Sequence, residues 1–264
     1  MLLVIDVGNT NITLGVCRGE VIETQWRLTT RSNRTVDETG MQLIWLLENR
    51  GYKAEDVKGV VVSSVVPKLM YSLTRAVQKY LNLEPLVVNQ ELSLGLKLLL
   101  PATKELGADR LVSAAAAYKL YGGPIIVIDY GTATTYDVIA EDGEFLTGIT
   151  APGIKISADA LFDKAALLGE IELALPPNIV AKNTVESLQS GILYGSIGET
   201  EYIVSRLKRE LSLPQAKVVA TGGLCRVIAL GTDVFDYVEP GLVLDGLRLI
   251  YYMNTQNITQ KNNG

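Results

Sequence analysis

Histidine is absent from this chain of 264 residues. That absence removes Ser-His-Asp and Cys-His nucleophile machinery together with every histidine-ligated catalytic zinc, and it leaves chemistry to carboxylates, hydroxyls, backbone N–H groups, lysine and arginine. Cysteine is scarce too. Cys17 and Cys225 are too few and too isolated for a metal cage or a disulfide framework and read as buried free thiols. No run approaches the roughly 18–20 consecutive apolar residues of a membrane span. The opening MLLVIDVG is interrupted by Asp6 and lacks the basic flank of a signal peptide, so a cytoplasmic protein with no membrane partner is expected. The chain has no Gly-Lys dipeptide, hence no P-loop, and no Gly-x-Gly-x-x-Gly fingerprint. A formal charge of −5 lacks the basic excess that a nucleic acid partner requires.

What the chain does have is repetition. VIDVGNTN at 4–11 returns as VIDYGTAT at 127–134, in each case an apolar strand that ends in Asp-x-Gly and is followed by small hydroxyl or amide residues. In the first copy, LLVIDV, NITLGVCR and EVIETQWRL read as three strands of an antiparallel meander parted by glycine-containing turns. A helix follows with a capping box in Thr35 and Glu38, then the buried strand GVVVSSVV, a helix over about 67–81 and the strand EPLVV. The second copy opens alike with IIVIDYG, TTYDVIAEDGE and FLTGITAPG. Its Gly143-Glu144 answers Gly19-Glu20 one position out of step, which reads as one inserted turn residue. Helical patterns over about 154–168 and 184–211, the strand AKVVATGG and the closing helix LVLDGLRLIYYM complete it. The expected organisation is an α/β fold of two duplicated domains, 1–119 and 120–253, with a polar tail at 254–264.

Two acidic turns at one register suit phosphate and metal. Gly8 and Gly131 permit close backbone approach, the residues after them offer N–H and hydroxyl donors, and Asp6 and Asp129 can hold a cation directly or through water. Either turn taken singly reads as an ordinary hairpin; the pair favours a site. ATGGLC at 220–225 allows a nucleoside to lie against bare backbone, or is a plain strand-to-helix turn. In LGADRLVSAAAAYKLYGG, Asp109 is either a first-turn helix cap or a general base, and composition leaves the two readings even. In AKNTVESLQSGILYG, Asn183 or Thr184 caps a long helix.

In this order along the chain, DVGNTN, GADR, DYGTATTYD, APGIKISADALF, KNTVESLQSGILYG and TGGL resemble the motifs of type III pantothenate kinases over about residues 1–253, and as a set they are highly specific. The resemblance implies two duplicated ribonuclease-H-like domains of the acetate kinase, sugar kinase, Hsp70 and actin superfamily, with a nucleotide cleft between them. It implies ATP-dependent phosphorylation of pantothenate, the first step towards coenzyme A. By motif, Asp6, Val7, Gly8, Asn9, Thr10, Asn11, Ile12, Thr13 and Thr132 look like ATP contacts, with Mg2+ near Asp6. Asp129 looks like the ligand of a monovalent cation, K+ or NH4+. Gly107, Ala108, Asp109 and Arg110 resemble the pantothenate-binding segment, with Asp109 as proton acceptor. Thr184 resembles a residue that reaches the pantothenate of a neighbouring subunit, which implies a homodimer. One departure stands out: a Tyr-Asp-Asn-Pro-like run of the family is replaced here by Leu100, Pro101, Ala102 and Thr103, so Leu100 is expected as a pocket-wall residue that cannot hydrogen-bond the acceptor. That departure keeps open a kinase of the same superfamily acting on another small alcohol. A non-catalytic nucleotide-binding regulator is the reading from a different class.

Overall fold

The computed structural model describes residues 1–99, 103, 105–164 and 169–261. The chain divides into two compact units, one made of 1–96, 101–116 and 243–264, the other of 97–100 and 117–242.

The first unit is built on β1 (Leu2–Val7), β2 (Asn11–Arg18), β3 (Val21–Thr29), β4 (Gly59–Ser64) and β5 (Leu86–Val87), in the sheet order β3-β2-β1-β4-β5. β1 to β3 form the antiparallel meander expected of glycine-punctuated apolar runs, and β4 and β5 join parallel to β1. Side chains alternate across the sheet. Leu3, Ile5 and Val7 enter one core, packed with Leu43, Leu46 and Leu47 of α1 (Val36–Glu48) and Leu69, Leu73 and Val77 of α2 (Pro67–Leu81). Each fully buried Leu or Ile contributes about 1.5–3 kcal/mol there. The capping box is formed as expected, the Thr35 hydroxyl accepting from the Glu38 N–H while the Glu38 carboxylate accepts from the Thr35 N–H. Leu2, Val4 and Asp6 therefore lie on the opposite face, which is served by α3 (Ala108–Tyr121) and α8 (Leu242–Lys261): Leu244 stands over Gly15, Tyr251 over Gly59, and Gly246 against Val112.

The second unit repeats the plan. β6 (Ile125–Tyr130), β7 (Ala133–Ile139), β8 (Phe145–Pro152), β9 (Lys217–Thr221) and β10 (Tyr237–Val238) give the order β8-β7-β6-β9-β10, the same topology strand for strand. Ile126, Ile128 and Tyr130 pack with Ile197, Val204 and Leu207 of α6 (Gly195–Glu210), and the Tyr130 hydroxyl bonds Thr200 at 2.8 Å. Asp129 is thereby turned to the other face.

Three expectations change in detail. The out-of-step repeat is not one inserted residue: Asp6 pairs with Thr13 but Asp129 with Thr135, so the second acidic turn is one residue shorter, and the longer connection at 140–144 more than makes up the difference. The long helix at 184–211 is α5 (Thr184–Gln189), a π-helical turn at Ser190–Tyr194 and α6. The closing helix runs through the polar segment to Lys261, and Asn254 ties it down by donating to the carbonyls of Ser93 and Ile250. Cys17 and Cys225 are free and buried, and burial pushes their thiols up to about 12 and about 11. No helix among the described residues is long and apolar enough to cross a membrane.

Candidate active site

The first acidic turn joins β1 to β2. The Gly8 N–H donates to the Asn11 carbonyl at 2.9 Å, and Thr30 clamps the turn from β3, its hydroxyl donating to the Gly8 carbonyl at 2.7 Å and its N–H to the Thr10 carbonyl at 3.0 Å. Asn9 and Thr10 are exposed at the tip. Val7 and Ile12 point into the core, so only their backbones are open to a ligand. Thr13 sits opposite Asp6 in the ladder.

Asp6, the penultimate residue of β1, is half-buried. Burial pushes its carboxyl from the usual 3.8 up to about 6; the Ser63 hydroxyl, donating to Oδ1 at 2.5 Å, pulls the other way, and the charge of Asp109 adds to the rise. Asp109 stands in the first turn of α3. Its Oδ1 accepts from the Arg110 N–H at 2.8 Å, so a capping-type contact is present, yet burial still raises this carboxyl above its ordinary value. Gly107, just before the helix, has no room for a side chain: a Cβ there would run into the Asp109 carboxylate and come within 3.0 Å of Val65 at the end of β4. The strand end, the neighbouring β4 and the start of α3 thus gather two desolvated carboxylates in the first unit, a pattern typical of sites that move protons.

The second acidic turn is the two-residue connection of β6 to β7. The Gly131 N–H donates to the Ala133 carbonyl at 3.1 Å, Gly131 and Thr132 are exposed, and Asp129 is half-buried. Thr221 pairs with Asp129 across β9, and Gly222 beyond it, at φ +88°, lies against the Asp129 carboxylate. Thr184 is exposed at the start of α5; the cap is Asn183, whose Oδ1 accepts from the Glu186 N–H at 2.9 Å. Leu100, with Pro101 and Ala102, lies outside the described residues. Thr103 is buried, and its carbonyl accepts from Gln90 at 2.6 Å.

Residues 2–206 match the family model described as type III pantothenate kinase. A type III pantothenate kinase of Agathobacter rectalis is 49% identical over 251 residues, covering 95% of this chain and 96% of that protein. The chain belongs to the type III pantothenate kinase family. Two solved structures carry the same fold at low identity. A Campylobacter jejuni protein assigned to the Baf family of transcriptional activators is 21% identical with a TM-score of 0.59, covering 96% of this chain and 99% of that one. A Sinorhizobium meliloti protein assigned as a 2-dehydro-3-deoxygalactonokinase is 13% identical with a TM-score of 0.56, covering 96% of both chains. With the repeated sheet order, they fit a fold of two ribonuclease-H-like domains. Within this family member, Ser63 and Thr30 are the turn-supporting residues that sequence reasoning passed over. A serine inside the apolar run GVVVSSVV was the available signal, because a buried hydroxyl on such a strand needs a partner.

Proposed function

We propose that the chain transfers the γ-phosphoryl group of ATP to the primary hydroxyl of pantothenate, giving 4′-phosphopantothenate, the first step towards coenzyme A. Family membership supports the activity, and the observation that carries the site is the pair of desolvated carboxylates Asp6 and Asp109, with the charge of Asp109 adding to the rise at Asp6. Phosphoryl transfer asks mainly for alignment and charge neutralisation. The turn from Asp6 to Thr13 offers backbone N–H groups and the exposed Asn9 and Thr10 to the phosphates, and Thr132 adds a contact from the second turn. Asp109 accepts the hydroxyl proton of the acceptor: a carboxylate whose affinity for a proton is raised by burial is a better base than a solvated one. Gly107, Ala108 and Arg110 line the acceptor beside it, with Leu100 as an apolar wall, and Thr184 reaches the acceptor of a second copy, making the working form a homodimer.

Among the described residues no cluster of three acidic or cysteine side chains could hold a metal by itself. A single carboxylate from the phosphate turn, that of Asp6, fits Mg2+ held mainly by the phosphates of the nucleotide, and Asp129, an oxygen donor, fits K+ or NH4+. These ions supply positive charge beside the transferring group. The two buried free cysteines fit a cytoplasmic enzyme. The test is a coupled assay of ADP release with pantothenate, run with potassium and then without it. Turnover that depends on pantothenate and rises with potassium is expected; ADP release indifferent to pantothenate, or faster with another alcohol, overturns the assignment.

A further inference from the structure

Ser63 is fully buried near the end of β4, in register with Asp6 on the adjoining parallel strand, and its hydroxyl donates to Asp6 Oδ1 at 2.5 Å. Its neighbour Ser64 has a local task, accepting from the Val66 N–H at 3.0 Å where the chain leaves the strand for α2. Ser63 has no such task. Its bond joins two strands and ends on the acid of the phosphate turn. The backbone at this point is already secured without it, because the Val65 N–H donates to the Val7 carbonyl at 3.0 Å and extends the β1–β4 ladder past both residues. Holding the strands together therefore does not require the hydroxyl, whereas fixing the carboxylate does. The second unit shows the same placement. Thr221 is buried near the end of β9, in register with Asp129 on the adjoining parallel strand. Two diverged copies both carry a small hydroxyl residue at the parallel-strand position in register with the acid, where Val, the residue of the preceding positions of β4, would pack as well.

We infer that Ser63 is a positioning residue for Asp6: by occupying Oδ1 from the side of β4, it fixes the carboxylate plane and leaves the second oxygen as the one presented to the nucleotide and its cation. This inference rests on the reading of the Asp6 turn as the nucleotide site. A freely turning carboxylate loses orientation before it loses charge, so the effect belongs to the binding of Mg2+-ATP and not to that of pantothenate.

The test is a double-mutant cycle read by calorimetric titration of full-length protein with Mg2+-ATP, alongside KM for each substrate. Ser63→Ala should weaken Mg2+-ATP binding about ten- to a hundredfold, the span of a lost hydrogen bond to a charged group, and leave the KM for pantothenate within about twofold. Ser63→Thr, which keeps the hydroxyl, should recover most of the affinity. In an Asp6→Ala background, which removes the acceptor of the Ser63 hydroxyl, Ser63→Ala should add nothing. Thermal unfolding of each variant separates misfolding from misplacement, and the Thr variant serves if the Ala variant does not fold. Equal weakening by Ser63→Ala with and without Asp6, or no weakening where Asp6→Ala does weaken binding, overturns the positioning role. Wild-type affinity retained by Asp6→Ala itself would instead overturn the nucleotide reading of the turn.

Discussion

The Asp129 carboxylate lies against the α-carbon of Gly222, and no side chain fits between them. Gly222 holds φ +88°, a left-handed conformation that a residue with a Cβ adopts only under strain. The glycine of the TGG turn therefore sets how far the acid can swing. Gly222→Ala should cost about 1–3 kcal/mol of stability from the backbone alone. The new methyl group would also meet the Asp129 carboxylate and the Tyr130 backbone, so if Asp129 holds the monovalent cation as proposed, the potassium concentration for half-maximal activity should rise about tenfold or more. Potassium titrations of activity, paired with melting curves, check both effects; an unchanged potassium requirement in a destabilised variant would separate Gly222 from the cation.

Asp109 divides the base reading from the cap reading. Asp109→Asn keeps an oxygen that can accept from the Arg110 N–H, so the first turn of α3 should survive and the melting temperature should move little. The proton acceptor is lost. Turnover should fall about 10²- to 10⁴-fold, while Mg2+-ATP binding stays within about threefold. Full activity in this variant would reduce Asp109 to a helix cap.

Much of this was legible in the chain itself, and the reasons are physical. Apolar runs of strand length, broken by glycine turns, leave the meander β1–β3 and its copy β6–β8 few alternatives, and the duplicated Asp-x-Gly put both acids at one register. Capping chemistry fixed the start of α1, because Thr35 and Glu38 satisfy each other. Ser63 was not legible, since its meaning depends on which residue of β1 the parallel strand sets beside it, and parallel register is a long-range property. Nor was the reach of α8. The polar residues after Met253 look like a frayed end until Ser93 supplies a partner for Asn254.

The raised carboxyl of Asp6 predicts how the metal-free protein responds to pH. Its folded value, about 6, lies above the usual 3.8, so between these values the folded state binds more protons than the unfolded one. Stability should therefore fall as pH rises from about 4 to about 6, by on the order of 3 kcal/mol at most from this group. Asp109 is shifted in the same direction and steepens the decline. Urea unfolding at a series of pH values should show the slope in the wild type and a shallower one in Asp6→Asn, which should also be the more stable protein at neutral pH. A slope of opposite sign would mean that Asp6 is better solvated than its burial indicates.

Thr184 carries the prediction of a shared site. Asn183 already caps α5, which makes capping an insufficient explanation for the threonine beside it. If Thr184 serves the acceptor bound to a second copy, a site draws Asp109 from one chain and Thr184 from the other. Thr184→Ala should then raise the KM for pantothenate without weakening Mg2+-ATP binding. The two defects should also complement: after joint unfolding and refolding of Asp109→Asn and Thr184→Ala chains, half of the dimers are mixed, and each mixed dimer holds one site intact in both residues. Activity should recover to about a quarter of the wild-type value, above the sum of the two parents. Dilution should abolish it as the dimers separate. Were Thr184 to act within its own chain, the mixed dimer would contain no intact site, and refolding the two variants together would give no more than the average of the parents.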